Sequence, residues 1–484
     1  MGKGTRREVE ITARRPWRRA ICGRTGAPWL LLALALSAAG GGLADAGAAA
    51  GPAASRVTAI TDVRIIDGNG GMPVEHGTLL IEGDRIAAAG PATRVRVPPG
   101  ALRIEGHGRS ALPGLADMHL HLLGGVDGVG FDLLGYQKYL NALLYAGVTT
   151  VMDTGNVEPF VLQLRAEVAA GRVLGPRIYC VGPILDGAEP VWPALSIAIT
   201  SKDQVPRIVA GLAADKVDFI KLYVGLSDML IRTISAEAGR QGLRTIIDQW
   251  SRNGSADIAA EGIAGFAHFP SHRIGEETLA TIKAHHVFLI STLAVQESAL
   301  GRRWLDLSFL DNPLIADTTP RSVLARLRQE YGGLTAEQLE AKSGYTMKVD
   351  LKGAESNVPR FRDAGVLFAA GTDAVYPGDF QGEGLHRELE LLVESGLSPL
   401  EALSAATRSA ATIVHGEREW GTLEPGMRAD IILIDGRPDE RISDTRKVSL
   451  VMKQGRIVDR AALRLDQSHI PDYAETGSSM AHVW

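Results

Sequence analysis

Cysteine is nearly absent from this chain: only Cys22 and Cys180 occur in 484 residues. That excludes a disulfide scaffold and a cysteine-rich zinc site. An excess of positive charge is missing as well. The formal net charge is −5, so no nucleic-acid partner is expected, since one would favour a basic balance. What is present is ordinary for a globular protein, 45% hydrophobic and 22% charged residues, which argues against disorder over most of the length. A chain this long outgrows one small core and suggests a large domain plus a smaller one.

The first fifty residues read as a signal or targeting segment, 1–50. A basic stretch, "RREVEITARRPWRRAICGR", precedes a short apolar run that fades into small residues, "PWLLLALALSAAGGGLADAGAAAG". That is the layout of a secretory signal, with a cut expected after Ala46 in "ADA". The run is too short for a membrane span of about 20 residues. Export to the periplasm or medium is therefore expected, with membrane contact only through this segment if it stays uncleaved. After cleavage Cys180 stands alone.

From Val57 the pattern is one of short strands punctuated by the turn pairs Asp67-Gly68, Gly83-Asp84 and Glu105-Gly106. Strands resume near the C-terminus in "ADIILIDGRP" and "VSLVMKQGRIVD". Residues 57–112 and 413–462 thus read as two halves of one small β domain. Between them, over 113–412, strand and helix signals alternate. The candidate strands are "LADMHLHL", "VTTVMDTG", "RIYCVGPIL", "DFIKLYVG", "RTIIDQWS", "AGFAHF", "VFLISTL" and "VLFAAGTDA". Helical stretches such as "YQKYLNALLYAG", "FVLQLRAEVAAG" and "RELELLVESG" separate them, each closed by glycine. Eight such units favour an α/β fold of the (β/α)8 TIM-barrel type, in which functional groups sit at the C-terminal ends of the strands. A mostly helical insertion, 301–359, lies before the last strand. A polar tail, 463–484, carries no periodicity.

The strand ends hold the chemistry. His119 and His121 stand two apart in the first strand, so an extended chain points both imidazoles to one side. Lys221, Asp248, His268 and Asp373 follow at the ends of the fourth, fifth, sixth and eighth strands. Singly, each has a plain structural role open to it: an ion pair, a helix cap, a hydrogen-bonded core histidine. Together they converge on one end of the barrel. Imidazole and carboxylate suit zinc and similar divalent ions, whose bound water becomes acidic enough to supply hydroxide near neutral pH.

The chain resembles the amidohydrolase superfamily, nearest to its imidazolonepropionase-like and prolidase-like members, from about Val57 to Arg460. The resemblance rests on "LPGLADMHLHL", "AGVTTVMDTG", "DFIKLY", "GFAHF", "AAGTDA", "LHRELELLVESGLSPLEALSAAT" and "GTLEPGMRADIILID" in that order. It implies a barrel flanked by a small β-sandwich built from both chain ends. It also implies roles. His119 and His121, helped by Asp373, would bind one divalent ion, zinc being the first candidate. Lys221, carboxylated by carbon dioxide, would bridge to a second ion held by His268. Asp373 would act as general acid/base for an attacking metal-bound hydroxide.

One position departs from the family. The strand-five ligand is normally histidine, but no histidine occurs between His121 and His268, and Asp248 in "IIDQWS" takes the place. Asp248 could bind the second ion itself, serve a one-metal site, or mark a catalytically impaired binding protein. An active hydrolase is the preferred reading. It would cleave an amide (C–N) bond of a small molecule, acyl amino acid, dipeptide or cyclic amide, with ester or lactone hydrolysis as the alternative. Tyr223, Trp250, His272 and Tyr376 follow strand ends and are expected to line the substrate pocket. The sequence leaves a homo-oligomer open.

Overall fold

A computed structural model of the chain describes residues 57–123, 135–248, 254–342, 349–374 and 376–468. The targeting segment, Trp250 and most of the polar tail lie outside the described residues. Among the described residues no helix is long and apolar enough to cross a membrane.

Five strands open the chain: β1 Val57–Ile65, β2 Val74–Glu82, β3 Arg85–Pro91, β4 Leu102–Glu105 and β5 Ser110–Pro113. Ten more follow: β6 Leu115–Leu120, β7 Val148–Asp153, β8 Arg177–Cys180, β9 Ile184–Asp186, β10 Ser196–Ala198, β11 Ile220–Leu222, β12 Thr245–Ile247, β13 Gly265–Phe266, β14 Phe288–Ser291 and β15 Phe368–Ala370. β16 Ile431–Ile434, β17 Val448–Lys453 and β18 Arg456–Val458 close the series.

Both chain ends build one sheet, in the order β18-β17-β16-β5-β1-β2-β3, with β4 also on β1. Its core gathers Ile60, Leu79, Ile81 and Ile86 with Ile431, Leu433 and Met452. The sharing of one sheet by the two ends follows the sequence pattern. Hydrogen-bonded pairing runs through all eight strands as a single sheet.

The middle of the chain forms two parallel sheets, β6-β7-β8 and β10-β9-β11-β12-β13-β14-β15. Every candidate strand of the sequence reading coincides with one or two of these elements. Their order along the sheets is nearly the chain order, which is what right-handed strand–helix–strand crossovers produce. β8 and β9 follow one another in "RIYCVGPILD" and link the two sheets: β8 pairs with β7, and β9 pairs with β11 and β10. At the opposite margins a parallel bridge pairs Leu120 with Ala374, and the His121 amide donates to the Ala374 carbonyl at 2.7 Å. Except for β8 and β10, which are partly exposed, the strands are largely buried on both faces, as parallel sheets covered by helices are.

Between β14 and β15 the chain is helical, including Leu293–Ala299, Arg321–Tyr331, Ala336–Lys342 and Leu351–Ala364. This region has an apolar core of its own, in which Trp304, Leu324, Leu327 and Tyr331 meet Tyr139 and Phe380. Trp304 stacks on Tyr331 with ring centroids 3.8 Å apart.

Candidate metal centre

β6 supplies the first two histidines. The register between β6 and β7 slips between Asp117 and Leu120, a bulge-like irregularity of the kind that re-aims side chains. Both imidazoles nonetheless reach one carboxylate oxygen. Nε2 of His119 is 3.3 Å and Nε2 of His121 is 3.1 Å from Oδ1 of Asp373. Asp373 stands just beyond β15 with φ at +72°, a left-handed backbone that costs a residue with a Cβ and is tolerated where surroundings over-determine it. Here the surroundings are the carbonyl of His119, which accepts from the amides of Thr372 at 3.0 Å and Asp373 at 2.7 Å. Gly371 permits the approach, because a Cβ there would lie 2.8 Å from the His119 nitrogen.

The other strands complete the cluster. Nζ of Lys221, in β11, is 3.5 Å from Nε2 of His119 and 3.8 Å from Oδ2 of Asp248. Asp248 follows β12, where its amide donates to the Leu222 carbonyl at 2.9 Å. Its Oδ2 is 2.9 Å from Nε2 of His268, which follows β13 and lies 3.9 Å from Oδ2 of Asp373. Ligand atoms of His119, His268 and Asp373 fall within 4.8 Å of one another.

The tautomers test whether a cation fits. Nδ1 of His119 faces the Ala267 carbonyl at 2.6 Å, and Nδ1 of His121 faces the Gly155 carbonyl at 2.9 Å. A carbonyl only accepts, so each ring carries its proton on Nδ1 and, when neutral, presents a lone pair at Nε2. Nδ1 of His268 is tied to the Thr292 hydroxyl at 2.7 Å. Such outer hydrogen bonds orient metal-binding histidines. Two lone pairs aimed at a carboxylate oxygen repel it unless a cation lies among them. A proton is a poor candidate at His119, because burial, with Lys221 and His268 adjacent, pushes that imidazole down to about 3, whereas against burial Asp373 raises His121, so a proton suits that ring alone. The donor set therefore fits a divalent metal ion.

Charges in the cluster follow from its burial. Burial opposes the Asp373 carboxylate, and it is held well below the usual range where positive charge stands at the His119, His121 and His268 rings, the place a bound cation takes. Asp248 is likewise held low against burial by His268 and Lys221. Burial lowers Lys221, although Asp248 and Asp373 oppose that shift.

Of the residues expected around the substrate, two lie beside this cluster. Tyr223 follows β11, is buried, and packs with Leu123, Ile184 and Leu195. Its hydroxyl accepts from Nε1 of Trp192 at 3.0 Å, and its ring centroid is 6.0 Å from Nζ of Lys221. Tyr376 is half-buried, and burial, with Tyr331 and Asp373 close by, pushes its hydroxyl up. His272 is not gathered in. Its side chain is exposed while its carbonyl accepts from Nδ2 of Asn357 at 2.7 Å. His386 is fully buried away from the cluster, between the Thr445 hydroxyl and the Ala146 carbonyl, each at 2.9 Å.

Four supporting residues lie outside the set of site residues expected from the sequence. Thr292 holds His268. Asp117 accepts from the Thr372 hydroxyl at 2.8 Å and from the Thr372 amide at 3.1 Å, joining β6 to the segment after β15, and burial pushes it up to about 7. Asp153 takes the Leu122 and Gly155 amides and Nδ2 of Asn156, so it orders two loops at once. Gln381 donates to the His121 carbonyl at 2.9 Å. Asp117 alone had a signal available, since it precedes His119 at the same two-residue spacing.

Comparison with known proteins adds the following. The profile of the Amidohydrolase family matches residues 110–458. The imidazolonepropionase of Rubrobacter xylanophilus is 28% identical over 412 residues, covering 75% of this chain and 85% of that protein. An adenine deaminase of Paracoccus denitrificans is 26% identical over 383 residues, 77% of this chain, and the match spans 53% of the deaminase. Among solved structures, a Bifidobacterium longum protein assigned as a prolidase superposes with a TM-score of 0.68 at 25% identity, covering 85% of this chain and 98% of that one.

Proposed function

The chain belongs to the amidohydrolase family, and on that premise we propose that it is a metal-dependent hydrolase cleaving a carbon–nitrogen bond of a small molecule. The observation that carries this reading is the set of histidine tautomers: Nδ1 of His119 and His121 is bound outward to carbonyls while both Nε2 atoms converge on Asp373. We read the two parallel sheets as one (β/α)8 barrel joined through the β8–β9 segment and the Leu120–Ala374 bridge, which puts all these residues at the C-terminal mouth.

His119, His121 and Asp373 would hold one ion, and His268 with Asp248 a second. Zinc is the first candidate for an imidazole-rich position. A divalent ion bound here supplies Lewis acidity, polarising a carbonyl and acidifying a water. Asp373, ionised beside three imidazoles, accepts the water's proton at Oδ2 and returns it to the leaving nitrogen. Lys221 is buried and lowered toward its neutral form. A neutral amine reacts with carbon dioxide to give a carbamate and a proton, turning a cation into an anionic oxygen donor between the two positions. Tyr223 and Tyr376 line the substrate side. The family relatives support amide or cyclic-amide chemistry on small substrates, and acyl amino acids and dipeptides belong in the first panel. Export through residues 1–50 completes the proposal. N-terminal sequencing of the secreted protein should find a start just after Ala46, and an intact Met1 would refute it.

The test is elemental analysis of the purified chain together with hydrolysis of N-acyl amino acids, dipeptides and cyclic amides, with and without chelator. Bound divalent metal, and amine release that chelator abolishes and metal restores, are expected. A chain that binds no metal and turns over nothing in the panel would instead be a binding protein. Turnover of esters or lactones without released amine would redirect the reaction class.

A further inference from the structure

We propose that Asp248 makes the position beside His268 favour a harder divalent ion, Mn2+ relative to Zn2+, than the position beside His119 and His121. The inference rests on the metal-dependent reading above and concerns what this chain's departure from a histidine does to it.

The two positions differ in donor chemistry. Around His119 and His121 two imidazole nitrogens face one carboxylate oxygen, Oδ1 of Asp373. On the other side a single nitrogen, Nε2 of His268, faces a carboxylate oxygen, Oδ2 of Asp248, at 2.9 Å. Two ligands of one ion, bound at about 2.1 Å each, sit about 3 Å apart at the right angle of an octahedral site and farther apart in a tetrahedral one. The Asp248–His268 separation therefore suits a shared ion without rearrangement. Both side chains are almost wholly enclosed, with 2% of Asp248 and 4% of His268 exposed.

A carbamate on Lys221, whose Nζ is 3.8 Å from Oδ2 of Asp248, would add a further oxygen on that side. The position then holds one imidazole among oxygens, and carboxylate-rich sets suit Mn2+ and Mg2+ better than imidazole-rich ones do. Zinc binds most protein sites more tightly than manganese, so the preference is a difference between positions and is read as a ratio. The competing arrangement is a plain hydrogen bond: the Thr292 hydroxyl can accept or donate at Nδ1, leaving His268 able to donate from Nε2 to Asp248.

The full chain is stripped with chelator, given one equivalent of Zn2+ in bicarbonate buffer, and titrated with Mn2+. Bound manganese is read by loss of the free six-line electron paramagnetic resonance signal, and total metal by elemental analysis. The parent should bind one zinc and one manganese per chain. Asp248→His should raise the zinc-over-manganese ratio at the second position at least tenfold. Asp248→Asn, which keeps shape and removes charge, should weaken manganese there at least tenfold with the first zinc retained. Circular dichroism confirms that both variants fold. An unchanged ratio in Asp248→His, or a parent that binds one zinc and no manganese, overturns the proposal and leaves the hydrolase reading standing. No metal in parent or variants overturns both.

Discussion

Asp373 carries a left-handed backbone and contacts His119, His121 and His268, so substitution there should act on chemistry before stability. Asp373→Asn is expected to lower kcat by about 10²–10⁴-fold, the range for removing a general acid/base. A KM change without a kcat change in steady-state kinetics would contradict that role. Thr292 never touches substrate in this reading but orients His268 through Nδ1. Thr292→Val should therefore weaken metal binding by about 10–100-fold, as loss of such outer partners does, and Thr292→Ser should restore it. Equal metal affinity in all three proteins, measured by competition with a chromophoric chelator, would show that His268 does not hold an ion. Gly371 belongs to the same argument, since its missing Cβ leaves room for the His119 backbone.

At the level of elements, the segment after β15 is held from two sides. Arg303, in the helical region before β15, donates from Nη1 to the Gly378 carbonyl at 2.6 Å and from Nη2 to both oxygens of Glu383 at 2.5 and 2.6 Å. Glu383 opens the helix Glu383–Glu394 and also meets Arg446. These two arginines outweigh burial and hold its carboxyl down at about 2. Removing one member of a buried pair leaves a charge without its full compensation. Arg303→Met should thus cost on the order of 3 kcal/mol, less to the extent that Arg446 takes over Glu383. A melting temperature equal to the parent's would show that the Arg303 contacts add nothing to stability.

Much at this scale was legible. The helices closed by glycine in "YQKYLNALLYAG", "FVLQLRAEVAAG" and "RELELLVESG" correspond to Tyr136–Tyr145, Glu158–Ala169 and Glu383–Glu394, because apolar periodicity and a stop residue are local properties. The slip in β6 and the role of Thr292 were not legible. Each is set by a partner on another strand, and no residue nearby in the chain announces it.

Across the whole molecule, His386 ties the helix Glu383–Glu394 to segments far away in the chain, through Ala146 and Thr445. Burial, with Arg446 beside it, pushes this histidine down to about 4 from an ordinary 6.5. A folded value below the unfolded one means stability present above pH 6.5 and lost as pH falls toward 4. The loss amounts to roughly 3 kcal/mol at about 1.4 kcal/mol per unit. His386→Gln, neutral throughout, should be less stable than the parent at pH 7, and that gap should shrink between pH 6.5 and 4. A gap in unfolding free energy independent of pH would refute the assignment.

The sequence by itself determined the strand–helix alternation, the sharing of one β sheet by both chain ends, and which strand ends carry His119, His121, Lys221, Asp248, His268 and Asp373. Those are matters of period, spacing and residue type. Only the tertiary structure decided that Nδ1 of His119 is held by a carbonyl 148 residues away. It alone showed that Asp248 faces His268 and that His272 stays exposed. The physical reason is that a side chain's partner, and hence its tautomer, charge and burial, comes from whichever strand the fold sets beside it.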